Sequence, residues 1–214
     1  MRVGIIGSGM IAKTISKIIV KHGFKITAIY SRNEKTRRKL TKKTKAKEFK
    51  TIEEFINGND LYDFVYIATL HSTHFKYASI CLKNHIPVLV EKPICINENE
   101  ILELIKLNKE YDTYIAEAMW TWFGSPLLIL DKAIKEHQFC DILEAKFDFE
   151  ILKPHFRKFD RLFDPNRAGG ALMDLGIYLV TSAYKLFGDP LNIEVNSKLV
   201  KNVDVIDEFI GVTR

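Results

Sequence analysis

Residues 3–12, Val-Gly-Ile-Ile-Gly-Ser-Gly-Met-Ile-Ala, decide the fold of this 214-residue chain. An apolar run breaks at closely spaced glycines and then resumes with helix formers, which predicts a strand, a tight turn and a helix start. The turn has the form G-x-G-x-x-A, with Gly7, Gly9 and Ala12 at its three small positions. The first glycine permits the turn, the second lets a pyrophosphate approach bare backbone, and the third small residue lets helix and strand pack closely.

Phosphates held by this turn would lie at the helix N-terminus, where backbone N–H groups and the positive end of the helix dipole face them. The residues expected to contact a dinucleotide here are Gly7, Ser8, Gly9, Met10 and Ile11. A glycine turn that binds no ligand is the alternative. The rest of the chain has to decide between the two interpretations.

The composition is that of an ordinary globular protein, with 47% hydrophobic and 28% charged residues, and it excludes a disordered chain. No apolar run is long enough to span a bilayer, and the N-terminus is a predicted strand rather than a leader, so we expect a cytoplasmic protein with no membrane partner. Cys81, Cys95 and Cys140 are far apart and lack metal-ligand spacing. We therefore expect reduced thiols and no metal site.

The positive net charge of +5 comes from one segment. Residues 31–50 contain ten of the 32 basic residues and only two of the 27 acidic ones, Glu34 and Glu48. A solvated helix face and an anion site at the start of the segment are both compatible with this pattern. Nucleic acid is the least favoured partner, because no aromatic stacking residues are interleaved with the charges.

The residues after the second predicted strand, Lys25–Tyr30, should contact the adenosine ribose of a dinucleotide. An NAD site usually has an Asp or Glu at this position, which accepts a hydrogen bond from the 2′-hydroxyl. Here the chain has Ser31, Arg32 and Asn33, followed by Arg37 and Arg38 in the next predicted helix. An arginine suits a 2′-phosphate better than a free hydroxyl, so Ser31, Arg32 and Arg37 favour NADP over NAD.

Two further segments follow predicted central strands of the same sheet. Residues 63–69 are apolar enough for a strand buried on both faces, and they lead into Thr69, Leu70, His71 and His74. These four residues would line the cofactor crevice; a helix N-cap at Ser72 with locally bonded histidines is the alternative.

Lys92 lies at the carboxyl end of the next predicted strand, within Glu91-Lys92-Pro93. An ammonium group in this position is partly desolvated and is a candidate proton donor. Glu91 and Lys92 are also expected to contact the cofactor.

With these residues the chain resembles the family of glucose-fructose oxidoreductase, inositol dehydrogenase and MocA-like NAD(P)-dependent oxidoreductases. It is most similar to the branch with dimeric dihydrodiol dehydrogenase and D-xylose dehydrogenase. The resemblance rests on the glycine turn and on residues 69–74, 91–93, 117–121 and 168–178. One departure is Trp122, where relatives often have Arg, so no role of that Arg is carried over.

The resemblance implies hydride transfer between a nicotinamide and a secondary carbinol of a sugar, polyol or dihydrodiol. Tyr178 would be the general acid or base, and Lys92 would be the cation that a tyrosine needs for this role. Asp174 would orient Lys92 or Tyr178. Trp120 and Phe149 would line an apolar substrate pocket.

The predicted architecture has two domains. Residues 1–120 form an NADP-binding Rossmann domain, a doubly wound parallel α/β sheet, and residues 121–214 form an incomplete α+β domain with a largely antiparallel sheet. Alternation from Ile142 to Leu152 predicts one of its strands, and residues from Gly169 onward predict a helix that places Asp174 and Tyr178 on one face.

The family resemblance implies that relatives continue past residue 214, with the strands and the dimer face that complete the second domain. We therefore expect a C-terminally truncated chain, which would be a homodimer if that domain were complete. A catalytically impaired remnant, or a regulatory protein that binds the cofactor, is the alternative to an active enzyme.

Overall fold

The computed structural model describes residues 1–139, 141–151, 161–200 and 203–212. The chain divides into two compact units, Met1–Ala118 and Met119–Arg214. The sequence predicted this boundary two residues later, after Trp120. We call them unit 1 and unit 2.

Unit 1 is built on one parallel sheet of six strands. The strands are β1 (Arg2–Ile6), β2 (Lys25–Tyr30), β3 (Lys47–Phe49), β4 (Phe64–Ile67), β5 (Val88–Val90) and β6 (Ile115–Glu117). Their order in the sheet is β3-β2-β1-β4-β5-β6, which is the order of doubly wound dinucleotide-binding domains. The predicted α/β fold class is confirmed.

Five α-helices connect these strands: α1 (Met10–Lys21), α2 (Glu34–Thr44), α3 (Ile52–Asn57), α4 (His74–Lys83) and α5 (Glu98–Glu110). Polar side chains fix several of their N-termini. Asn33 accepts the Thr36 N–H at the start of α2, and Asn97 accepts the Glu100 N–H at the start of α5.

Helix α4 begins differently from the sequence expectation. Its N-cap is Thr73 rather than Ser72, and no side-chain hydrogen bond caps the helix. Ser72 lies in a preceding 3₁₀ turn, His71–Thr73. The N–H of Thr73 donates to the Leu70 carbonyl at 2.9 Å, which closes this turn just before α4 begins.

The core of unit 1 consists of two clusters. One contains Ile6 and Ile67 of the strands with Phe55, Leu82 and Leu104 of the helices. The other contains strand residues whose side chains point to the opposite face of the sheet, together with residues of α1 and α2. Its members include Val3, Ile5, Ala12, Ile29 and Leu40. Since successive strand residues point to opposite faces, the two clusters cover the two faces of the sheet.

The glycine turn is fixed by a backbone contact at the centre of this sheet. Gly7 has a φ of +122°, and a Cβ added there would lie 2.2 Å from the Ala68 carbonyl oxygen. Two hydrogen bonds of 2.8 Å hold the approach, from the Gly7 N–H to the Tyr30 carbonyl and from the Ala68 N–H to the Ile6 carbonyl. Only glycine fits at residue 7.

Unit 2 begins with a 3₁₀ turn, Trp120–Phe123, and continues with α6 (Ser125–Lys135), a π-helical segment (Leu172–Gly176), α7 (Ile177–Phe187), β7 (Asn192–Val200) and β8 (Val203–Val212). β7 and β8 pair as an antiparallel hairpin, with Asn192 opposite Val212. Of the buried hydrophobic side chains among the described residues, only Met119 and Leu186 belong to unit 2.

The predicted strand at Ile142–Leu152 is wrong over its described part. Residues 142–151 have no strand assignment, and Leu143 is 95% exposed; Leu152 lies outside the described residues. Alternation shows which side chains would share a face, but a strand also needs a hydrogen-bonded neighbour. No described strand pairs with this segment.

None of the helices among the described residues has the length and apolar character needed to cross a membrane.

We expect Gly7→Ala to lower the free energy of unfolding by about 3 kcal/mol or more, because a Cβ there meets the Ala68 carbonyl at a positive φ. Urea denaturation of the purified chain measures this loss.

Gly9→Ala is the matched control. Its Cβ would meet no heavy atom within 4 Å, so the variant should lose no more than about 1 kcal/mol. Equal losses in the two variants would contradict the steric explanation.

Candidate functional site

The start of α1 leaves backbone N–H groups available to an anion. Its N-cap residue is Gly9, so no side chain caps the helix, and the first turn contains no acidic residue. A Cβ on Gly9 would meet open space, and the neighbouring Met10 and Ile11 are exposed. The backbone N–H groups and the helix dipole therefore suit the phosphates of a dinucleotide at the position that the motif predicts.

A cluster of three hydroxyl groups joins this turn to the residues after β2. The buried Ser8 donates from Oγ to Ser31 Oγ at 2.8 Å, and its Oγ lies 2.6 Å from Thr36 Oγ1. The Ser8 side chain is thus engaged within the protein. Its predicted contact with the cofactor stays a prediction, and Thr36 belongs to this hydroxyl cluster although no sequence pattern selected it.

Arg37 and Arg32 have different environments. Arg37 is 5% exposed; its Nε pairs with Glu48 Oε1 at 2.8 Å, and one terminal nitrogen donates to the Ser31 carbonyl at 2.5 Å. Arg32 is exposed. The Arg37 guanidinium, which was predicted to contact a phosphate, is therefore held inside unit 1 by Glu48 of β3 and the Ser31 carbonyl.

The segment after β4 is a compact turn. Thr73 Oγ1 lies 2.9 Å from both Leu70 O and Thr69 Oγ1. His71 is buried, with its ring centroid 5.7 Å from that of His74. The predicted residues of this segment thus lie together at the carboxyl end of β4, where an open α/β sheet binds its ligands.

The loop that carries the half-buried Lys92 is fixed by side chains of other elements. Tyr66 of β4 donates its hydroxyl hydrogen to Glu91 Oε1 at 2.5 Å. His74 of α4 is fully buried, and its Nδ1 donates to the Pro93 carbonyl at 2.8 Å, since a carbonyl can only accept. His74 therefore supports the loop and exposes no surface of its own to a ligand.

Glu117, at the end of β6, is the third support of this loop. Its Oε1 accepts the Ile94 N–H at 2.8 Å. Burial raises the pKa of the Glu117 carboxyl, while the Ile94 N–H and the Lys92 charge act in the opposite direction and the Glu91 charge raises it further. Glu117 thus lies close enough to Lys92 and Glu91 to interact with both charges.

Sequence reasoning missed Glu117 as a site residue. It quoted residues 117–121 for their resemblance but gave Glu117 no role. The signal was available, because Glu117 ends the last parallel strand and the carboxyl ends of such strands share one edge of the sheet. The same rule points to Tyr66, whose polar tip lies near the end of β4.

In unit 2 the rings of Trp120, Phe149 and Tyr178 lie together. Trp120 Nε1 donates a hydrogen bond to the Tyr178 hydroxyl oxygen at 3.3 Å, and the two ring centroids are 5.9 Å apart. The Phe149 ring lies 5.8 Å from that of Tyr178. Trp120 and Phe149 are largely exposed, so the group presents an apolar surface around one hydroxyl.

Asp174 lies in the π-helical segment that precedes α7, whereas Tyr178 lies in the first turn of α7. The predicted helix therefore carries both residues, with a π-helical first part. Their shared face stays a prediction.

Trp122, at which the chain departs from the family pattern, is contacted by a lysine. Lys185 Nζ lies 4.2 Å from the Trp122 ring centroid and donates to the Trp122 carbonyl at 2.9 Å. This pair links the 3₁₀ turn to α7 within unit 2.

Among the described residues, no group of three or more His, Cys, Asp or Glu side chains could hold a metal ion.

Two family models match the chain. Residues 1–118 match the model described as "Oxidoreductase family, NAD-binding Rossmann fold". Residues 128–214 match the model described as "GFO/IDH/MocA C-terminal domain".

Similar proteins are dehydrogenases by name. Trans-1,2-dihydrobenzene-1,2-diol dehydrogenase of Mus musculus is 28% identical over 192 residues, which are 88% of this chain and 56% of the relative. The scyllo-inositol 2-dehydrogenase (NADP(+)) IolU of Bacillus subtilis is 30% identical over 177 residues, 81% of this chain and 54% of the relative. The chain thus spans little more than half the length of these relatives.

A solved structure shows the same fold. The WlbA dehydrogenase of Chromobacterium violaceum, in complex with NADH and UDP-GlcNAcA, superposes with a TM-score of 0.79 at 17% identity. The match covers 96% of this chain and 61% of that one.

The two arginines should respond differently to substitution. Arg37→Ala should lower the free energy of unfolding by about 2 to 3 kcal/mol, because it leaves Glu48 and the Ser31 carbonyl without their donor. Arg32→Ala should change it by less than about 0.5 kcal/mol, since the side chain is exposed. Urea denaturation compares the two variants; similar values would contradict the structural role of Arg37.

Proposed function

This chain belongs to the Gfo/Idh/MocA oxidoreductase family, and from that premise we propose that it is an NADP-dependent dehydrogenase. The reaction would transfer a hydride between the cofactor and a secondary carbinol of a sugar, polyol or trans-dihydrodiol. The observation that carries the proposal is that one edge of one sheet holds both an open glycine turn at Gly9 and a fixed loop with Lys92. The names of the relatives support the substrate class.

The proposed cofactor contacts begin at the glycine turn. The N–H groups of Gly9, Met10 and Ile11 would hold the pyrophosphate, because they lie at a helix N-terminus with no side-chain cap and no acidic residue. Thr69, Leu70 and His71 would line the crevice beyond it. When bound, the nicotinamide supplies the hydride acceptor or donor.

The preference for NADP rests on the residues after β2. No carboxylate is present at residues 31–33 to accept from a ribose hydroxyl, and Arg32 is exposed. With Arg37 engaged by Glu48, the proposed contact with a 2′-phosphate falls to Arg32, assisted by the hydroxyls of Ser31 and Thr36.

The family resemblance supplies the proposed roles in proton transfer. Tyr178 would give a proton to the substrate oxygen or take one from it, and Lys92 would be the cation that a tyrosine needs for this role. Asp174 would orient one of these two side chains. Trp120 and Phe149, which surround Tyr178, would contact the apolar face of the substrate.

A homodimer and a cytoplasmic location stay predictions. A cofactor-binding remnant or regulator is the alternative, and turnover separates it from the enzyme. The assay is NADP⁺ reduction with a panel of aldoses, inositols and trans-dihydrodiols. Tight cofactor binding without turnover would select the alternative.

Arg32→Ala should weaken NADPH binding about ten- to a hundredfold and leave NADH binding nearly unchanged, because it removes one charge-assisted contact. Isothermal titration calorimetry with both cofactors measures the effect. Arg38→Ala is the matched control, since Arg38 is an exposed arginine of α2 paired with Glu34. Equal losses for NADPH and NADH in Arg32→Ala would refute the contact with the phosphate.

Lys92→Ala and Tyr178→Phe should each lower kcat about a hundredfold or more, since each removes a group from the proposed proton transfer. Tyr184→Phe, which also removes one hydroxyl from α7, should keep kcat. The measurement is steady-state NADP⁺ reduction with whichever alcohol the wild-type chain oxidises. Activity within a few-fold of wild type in either test variant would overturn its assignment.

A further inference from the structure

Glu117 is placed by the sheet beside the loop that carries Lys92. In the register of β5 and β6, Glu117 lies opposite Val90, the residue that precedes this loop. The Ala118 N–H donates to the Val90 carbonyl at 2.7 Å and fixes the two strand ends against each other. The Glu117 side chain then reaches the far end of the loop and accepts the Ile94 N–H at 2.8 Å.

The electrostatic setting of Glu117 is unfavourable except for two partners. Burial disfavours its charged form, and the neighbouring Glu91 repels it. The Ile94 N–H and the Lys92 ammonium act in the opposite direction. An acidic side chain kept in a partly desolvated position beside one specific cation is typical of residues that tune a functional group.

The second carboxylate, Glu91, is held in place by Tyr66, whose hydroxyl donates to it at 2.5 Å. Glu91 and Glu117 are therefore each tied to another part of unit 1. Glu91 precedes Lys92 directly in the chain, whereas Glu117 comes from a different strand. Glu117 is the one whose distance from Lys92 depends on the fold.

We propose that Glu117 is a positioning residue for Lys92, fixing the backbone of residues 92–94 through the Ile94 N–H and holding the Lys92 ammonium through its charge. Its meaning for catalysis rests on the proposed function, whereas its effect on Lys92 can be measured without turnover. Glu117 acts through Lys92 and the loop, and it is not assigned a contact with substrate or cofactor.

The chain offers a matched control close by. Glu100 also accepts a backbone N–H with its side chain, that of Ile96 at 3.2 Å. It thus makes the same kind of bond two residues further along the chain. Glu100→Gln and Glu117→Gln differ in which carboxylate charge is removed, while both keep an amide oxygen to accept the backbone N–H.

The first test measures the reactivity of the Lys92 amine in the full chain. Each variant is treated at pH 8 with a limiting amount of an N-hydroxysuccinimide acetate, and acetylation of Lys92 is measured by peptide mass spectrometry relative to Lys106, which is exposed on α5. Glu117→Gln should raise the Lys92 ratio roughly three- to tenfold, because the substitution removes the charged partner that holds the Lys92 side chain at the loop. Glu100→Gln should leave it within about twofold. An unchanged ratio in Glu117→Gln, or an equal rise in both variants, would overturn the proposal.

The second test separates charge from structure. Hydrogen exchange of the Ile94 amide should stay slow in Glu117→Gln and become faster in Glu117→Leu, which lacks an acceptor. In the turnover assay, Glu117→Gln should lower kcat about tenfold and leave KM and NADPH affinity unchanged. Wild-type kcat in this variant would refute the catalytic part of the proposal. A wild-type chain without turnover would count against the proposed function, while the labelling ratio would still decide the role of Glu117.

Discussion

The backbone contact between Gly7 and Ala68 is the constraint on which the candidate site depends. At this point no side chain separates the end of β1 from the end of β4, since a Cβ on Gly7 would lie 2.2 Å from the Ala68 carbonyl oxygen. The order of the strands reverses between the same two strands, with β2 and β3 on one side and β5 and β6 on the other. Connections that leave in opposite directions open a crevice between them, and the glycine turn lines it.

Around this crevice, the polar side chains mainly fix one another. Ser8 bonds to Ser31 and Thr36, Arg37 pairs with Glu48, and the loop at Lys92 is tied to three other elements. Under the proposed function, the groups left to bind the cofactor are the backbone N–H groups at the start of α1 and the exposed Arg32. Such a division is expected where binding groups need to be held in position before the ligand arrives, because preorganised donors cost little to order on binding.

The sequence was sufficient where local signals decide the structure. β2 begins and ends as predicted, because a β-branched run defines the strand. The starts of α2 and α3 are likewise fixed locally, by the side chains of Asn33 and Thr51. It was insufficient where a distant partner decides. The burial of Arg37 depends on Glu48, eleven residues away, and the role of Glu117 depends on Ile94, 23 residues away. The alternation of apolar residues at 142–151 likewise indicated which side chains would share one face of a strand. It could not show whether a neighbouring strand is present to pair with it.

The two groups of residues proposed for chemistry are held by different forces. The loop at Lys92 is fixed by directional hydrogen bonds to Tyr66, His74 and Glu117, so that moving it would leave buried polar groups without partners. Tyr178 is surrounded instead by the rings of Trp120 and Phe149, whose contacts depend on shape and area and weakly on direction. Under the proposed function, substitutions at these two rings would change which alcohol fits against Tyr178, whereas the position of Lys92 would stay the same. We therefore expect that changes in unit 2 alter which substrate is accepted, and that unit 1 keeps the type of reaction unchanged.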